Sequence, residues 1–244
     1  MTKKIILLIL TVIIYLTIMG FIFGFNTIIN NQNYIIVGNS VIFEYQNKTW
    51  NYIKDFTTIN GRKYFTYINK IDYGITKLQY YKSTIYSYKD NNPINYDNIL
   101  AYSGKRNVGP IEYQIKPLDN NDYNIICNHL NIEYRENIYG NKVILDFDKD
   151  GINETLYSAT STDINKSFSI IFIYDDEIID VEKYIYNNNF NMRYLYLYDI
   201  IDIRKDGYLE IITKSSLTNN IDTCYLMYEY KNNIKQISSD CKEV

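Results

Sequence analysis

Three cysteines, three prolines, ten glycines, one tryptophan and one histidine are spread over 244 residues, and each scarcity excludes something. Cys127, Cys224 and Cys241 form no C-x-x-C and no Cys/His cluster, which argues against zinc. Three thiols allow at most one internal disulfide, for which Cys224 and Cys241 are the nearest pair in sequence. Burial is the commonest fate of a free cysteine, so three buried thiols are the expectation. The lone histidine, His129, lacks the partner that a metal site or a catalytic triad needs, and it reads as a structural or surface residue. No G-x-S-x-G, H-E-x-x-H, P-loop or G-x-G-x-x-G motif occurs. With so little glycine and proline, turns must rely on Asn and Asp. A net charge of -3 gives no general attraction to nucleic acid.

What the chain has instead is 28 tyrosines against 10 phenylalanines, with Ile and Asn also abundant. Tyr and Ile favour strands and Asn favours turns, so the composition points to an all-β fold. A hydrophobic content of 46% can fill a core, and the length suits one large domain or two small ones.

Residues 5–25, IILLILTVIIYLTIMGFIFGF, carry no charge over 21 positions. At about 1.5 Å rise per residue such a helix crosses a hydrocarbon core of about 30 Å. Lys3 and Lys4 keep residues 1–4 in the cytoplasm by the positive-inside rule, which places everything after residue 25 outside. A cleaved signal peptide is the rival, but its apolar region is usually shorter, and candidate cleavage sites here have a bulky residue at the -3 position. Either way the rest of the chain is delivered out of the cytoplasm. Gly20 and Gly24 make a G-x-x-x-G that chance explains better than helix packing.

Residues 26–36 read as a polar spacer, residues 37–140 as an N-terminal β region and residues 141–244 as a second β region. In the first, strands are expected at 41–45, 49–53, 63–68, 78–81, 84–88 and 111–115. Asn60-Gly61 marks a two-residue turn. No amphipathic helix of convincing length stands out, and 122–136 is the one place where a helix would compete with the all-β reading.

The densest chemistry lies in Asp146 to Glu154, D-F-D-K-D-G-I-N-E. Four carboxylates in one tight turn repel one another unless a cation sits among them. Calcium suits the set best, because it takes a flexible shell of about 6–8 oxygens. An EF-hand would place a bidentate Glu at loop position twelve, but position twelve from Asp146 is Tyr157 and the acid falls at position nine, Glu154. Val143-Ile144-Leu145 and Thr155-Leu156-Tyr157 favour strands on both sides. The expected ligands are the side chains of Asp146, Asp148, Asp150 and Glu154 with the carbonyl of Ile152, while Gly151 allows the sharp turn.

Shifting by 56 residues brings Asp146 onto Asp202, Asp150-Gly151 onto Asp206-Gly207, Glu154 onto Glu210, Tyr174 onto Tyr230 and Ile178 onto Ile234. Four strands per roughly 50 residues is the size of a propeller blade. The second loop has Arg204 where the second aspartate should stand, so either its guanidinium replaces calcium as the local cation or the loop binds calcium weakly. Phe43-Glu44-Tyr45-Gln46-Asn47 is similar to Tyr228-Glu229-Tyr230-Lys231-Asn232, which suggests a closing hairpin of a further, loopless unit.

DFDKDGINE, with DIRKDGYLE one repeat later, resembles the FG-GAP/VCBS-type calcium repeats of integrin-like β-propellers. The resemblance spans residues 141–238 as two copies, the second degenerate, and implies calcium held between two strands by the loop acids. The Phe-Gly and Gly-Ala-Pro signatures of that family are missing, and the length does not allow seven blades at ~50–60 residues each. The implied architecture is a propeller-like stack of antiparallel β-hairpin repeats behind a single N-terminal transmembrane helix.

Three functions fit this reading. One is a membrane-anchored surface module that binds a protein or a glycan, stiffened by calcium. Another is an extracytoplasmic polysaccharide hydrolase or lyase, for which Glu133 and Glu136 are a carboxylate pair with no geometry legible in sequence. The last is a structural subunit of an envelope complex. Sequons at Asn47, Asn153 and Asn165 are near chance in an Asn-rich chain, and a glycan on Asn153 would sit inside the metal loop.

Overall fold

The computed structural model describes Tyr15 and, from Asn33 to Cys241, all residues except 39–40, 47–48, 54–55, 62, 69, 82–83, 90–91, 95–98, 103–110, 134–136, 164–165, 187–191, 203–206, 218–222, 232 and 240. The expected membrane segment, residues 5–25, thus lies outside the described residues apart from Tyr15. Among the described residues no helix is long and apolar enough to cross a membrane.

The described chain is mostly antiparallel β-structure in three sheets, with one α-helix. The first sheet takes β1 (Asn33–Val37), β2 (Val41–Gln46), β3 (Thr49–Tyr52), β4 (Lys63–Ile68), β5 (Ile71–Tyr81), β6 (Thr84–Lys89), β7 (Asn92–Ile94) and β8 (Ile99–Tyr102). Its spatial order is β3-β2-β1-β8-β4-β5-β6-β7. The second sheet comprises β9 (Ile115–Pro117), β10 (Ile138–Leu145), β11 (Glu154–Ser161), β12 (Ser167–Asp175) and β13 (Glu177–Tyr186), in the order β13-β12-β11-β10-β9. The third is a four-stranded meander of β14 (Arg193–Ile201), β15 (Glu210–Leu217), β16 (Thr223–Tyr230) and β17 (Ile234–Ser239). No closed propeller forms among the described residues.

Burial explains how these layers stack. β12 is buried along its first seven residues, because both of its faces are covered. Phe168, Ile170 and Phe172 point to the helix side with Ile126, Cys127 and Leu130. Ile171 and Ile173 point the other way, to Leu195, Ile211, Leu226 and Tyr228 of the third sheet. Each such side chain contributes about 1.5–3 kcal/mol when fully buried. The amide of Leu195 donates to Ser169 Oγ at 2.8 Å, a polar stitch across the same interface. The third sheet's far face packs Ile201, Ile212, Tyr225 and Met227 against Ile35, Val37, Phe43, Trp50 and Leu100 of the first. That contact is close enough to need glycine: a Cβ on Gly38 (φ 63°) would lie 2.5 Å from the Tyr225 hydroxyl.

The 56-residue shift relates the second and third sheets strand by strand. Leu145 pairs with Glu154 and Ile201 with Glu210, while Tyr174 pairs with Ile178 and Tyr230 with Ile234. The irregularity at Ile171/Phe172 recurs at Met227/Tyr228. By contrast, the β2–β3 hairpin forms the edge of the eight-stranded sheet and does not close a further four-stranded unit.

Three expectations need correction. A helix, α1 (Asn120–Leu130), is present. Asp119 caps it by accepting from the amides of Asn121 and Asp122, and Asp122 returns a bond to the Asp119 amide. The helix stops at Asn131, whose left-handed φ of 50° and backbone bonds satisfy the last carbonyls. Lys142 reaches both Asp119 and Asp122 at 2.8 and 2.7 Å, and the Tyr157 hydroxyl donates to Asp122, so the helix start is tied to the second sheet. Second, the strand expected at 111–115 is reduced to its last residue, and Ile111 donates its amide to the Ile200 carbonyl at the third sheet instead. Third, Cys224 and Cys241 are disulfide-bonded, because β17 runs back beside β16 and carries Cys241 to Cys224; Cys127 alone is a buried thiol.

Candidate metal centre

The hairpin between β10 and β11 closes where Leu145 faces Glu154. Lys149 (φ 60°) and Gly151 (φ 95°) both adopt left-handed backbone, which folds the connection back tightly. Each aspartate uses one oxygen to hold the turn. Asp146 Oδ2 accepts from the Gly151 amide at 3.1 Å, Asp148 Oδ1 from Asp150 at 3.2 Å, and Asp150 Oδ1 from Ile152 at 2.7 Å. Glu154 is buried at the start of β11, and its Oε2 accepts from the Phe147 amide at 2.7 Å.

These bonds bring one oxygen each of Asp146, Asp148, Asp150 and Glu154 within 4.8 Å of one another. Like charges at such separations repel by roughly 1–4 kcal/mol per pair between bulk water and a protein surface. Burial, reinforced by Asp148, Asp175 and Asp146, pushes the Glu154 carboxyl up to about 7, although the Phe147 amide pulls the other way. Asp146 Oδ1 is buried with no hydrogen-bond partner. An orphaned carboxylate oxygen beside three further acids is the donor set that a hard divalent cation fits. The Ile152 side chain is exposed and its amide serves Asp150, leaving only its carbonyl available as a ligand.

Side chains alternate along the loop. Asp146, Asp148 and Asp150 gather around the acid cluster, while Phe147 and Lys149 turn toward the third sheet. Phe147 is fully buried, edge-on to the Tyr230 ring at 6.3 Å. Lys149 Nζ lies 2.6 Å from Asp202 Oδ2.

Asp202 and the fully buried Glu210 mark the ends of the second loop, whose Arg204 and Asp206 lie outside the described residues. The same holds for Glu136, Asn47 and Asn165. His129 Nε2 sits 2.6 Å from Asp180 Oδ1, with the ring against Phe172. The pair joins α1 to β13, a structural role of the kind expected for this residue.

Sequence reasoning missed Asp175, Tyr230, Phe147 and Lys149. The Tyr230 hydroxyl donates to Asp175 Oδ2 at 3.1 Å, which places a fifth carboxylate and its phenol beside Glu154. Only the period-two alternation of the loop carried a signal for Phe147 and Lys149.

Comparisons of the chain with family models, with curated proteins and with solved structures gave no match.

Proposed function

We propose that this is a membrane-anchored, extracytoplasmic β-repeat protein that holds one calcium ion in the 146–154 loop. The ion acts as a structural staple for a surface module that binds another protein or a glycan. In this reading β10–β13 and β14–β17 are two blade-like units of the FG-GAP/VCBS type, stacked as in a propeller without closing one. The observation that carries it is the set of four carboxylates within 4.8 Å, one of whose oxygens, Asp146 Oδ1, is buried without a partner.

Two further features support the location. The apolar run at residues 5–25 has the length of a membrane anchor. A disulfide between Cys224 and Cys241 persists in oxidising compartments and is rare in the cytosol. Outside the cell calcium is near millimolar, so a site with Kd of about 10–100 μM would be filled.

Calorimetric titration of the chelator-treated full-length chain tests the reading. One calcium ion should bind per chain, magnesium should bind far more weakly, and Asp148→Ala should remove the signal. Absence of calcium binding by the wild-type chain would sink the proposal.

A further inference from the structure

We propose that the calcium loop is also the coupling element between the two blade-like units, with Lys149 reaching across to Asp202. The inference rests on the calcium reading above and specifies what the ion controls.

Phe147 and Lys149 of the first loop reach the second loop and the core of the third sheet. Lys149 Nζ pairs with Asp202 Oδ2 at 2.6 Å, and Asp202 is the residue that the repeat places where Asp146 stands in the first loop. The Lys149 stem passes over Gly207, where an added Cβ would lie 3.9 Å from Lys149 Cδ. The Leu209 amide donates to the Phe147 carbonyl at 3.1 Å. Phe147 itself is buried among Leu195, Leu209, Ile211 and Tyr230 of the third sheet.

The same backbone is held on its other side by the acid cluster. The Phe147 amide donates to Glu154, and Asp146 and Asp148 flank that residue. In a segment whose side chains alternate, fixing Asp146, Asp148 and Asp150 on one ion also fixes Phe147 and Lys149 on the opposite side. Without the ion, mutual repulsion spreads the acids and loosens the loop that carries those contacts. The Lys149 ammonium supplies Asp202 with a positive charge from the first loop. A half-exposed ion pair contributes little alone. Its role is to position, together with buried Phe147, the edge of the next sheet.

Hydrogen exchange of the full-length chain, with calcium and with chelator, tests this. With calcium at about ten times its Kd, mass action slows opening of the coupled segment about tenfold. Protection of residues 207–212, the Leu209 amide above all, should rise by that factor and by more than protection of residues 63–68 in the first sheet. Lys149→Gln, which removes the charge and keeps most of the stem, should still bind one calcium ion per chain while the gain at 207–212 shrinks toward that at 63–68. Calcium binding with an equal rise in both segments, or an undiminished gain in Lys149→Gln, overturns the coupling and leaves the calcium site standing. No calcium binding by the wild-type chain overturns both.

Discussion

Replacing Phe147 by Ala isolates the apolar half of the loop. The side chain is fully buried, touches the third-sheet core and sits edge-on to Tyr230. Its backbone amide and carbonyl keep their bonds to Glu154 and Leu209, so the substitution removes packing alone. Removing a buried phenylalanine costs about 3–5 kcal/mol, the sum of lost transfer energy and the cavity left behind. The upper part of that range applies here, since β10, β11 and the third sheet enclose the ring and backbone bonds on both sides of Phe147 limit collapse into the void. For a domain of this size each kcal/mol shifts Tm by about 2–4 °C, so about 4–5 kcal/mol gives a fall of roughly 8–20 °C. The assay is urea unfolding at saturating calcium, followed by tyrosine fluorescence and far-UV circular dichroism, with Phe147→Leu as a volume-sparing control near 1 kcal/mol. A loss below about 1 kcal/mol for the alanine variant would show that Phe147 does not join the two sheets, and would refute the packing described for the loop.

Reducing the Cys224–Cys241 bond, or replacing both residues with Ser, should lower stability by about 3 kcal/mol, the entropy expected for a closed loop of this length, as read from denaturant midpoints. An unchanged midpoint after complete reduction would remove that contribution. The effect of calcium should grow with pH. The fold holds the Glu154 carboxyl above its ordinary value, so in the metal-free chain its contribution is present below about 4.5 and lost as pH rises through about 7, whereas calcium needs the ionised form. The melting difference between calcium and chelator should therefore widen from pH 5 to pH 8; a difference that narrows over that range would contradict the assigned ligand role of Glu154.

Some of this architecture is legible in the sequence and some is not, for physical reasons. The spacing of the acids is local: Asp146, Asp148, Asp150 and Glu154 are brought together by one turn whose Asn, Asp and Gly chemistry is written in nine consecutive residues. The repeat is legible because the loop acids recur at a constant shift, and the structure keeps the register beside them, down to the irregularity shared by Ile171/Phe172 and Met227/Tyr228. The Lys149–Asp202 pair is not, because it depends on how two sheets stack and no local preference encodes that. Helix α1 hides for a different reason. Asn120, Asn121, Asn124 and Asn128 read as turn formers, and only the Asp119/Asp122 capping box and the buried row Ile126, Cys127 and Leu130 reveal a helix. The disulfide needed the β16–β17 pairing, which brings together two cysteines that sequence proximity alone left as thiols.

The central claim is that an ion in the 146–154 loop stabilises the fold. Thermal unfolding of the full-length chain in 1 mM calcium and in chelator, beside Asp148→Ala, measures it most directly. With Kd of about 10–100 μM the ion adds about 1.4–2.7 kcal/mol, so calcium should raise the wild-type Tm by about 3–10 °C and leave Asp148→Ala unmoved. Superimposable wild-type curves with and without calcium would contradict it.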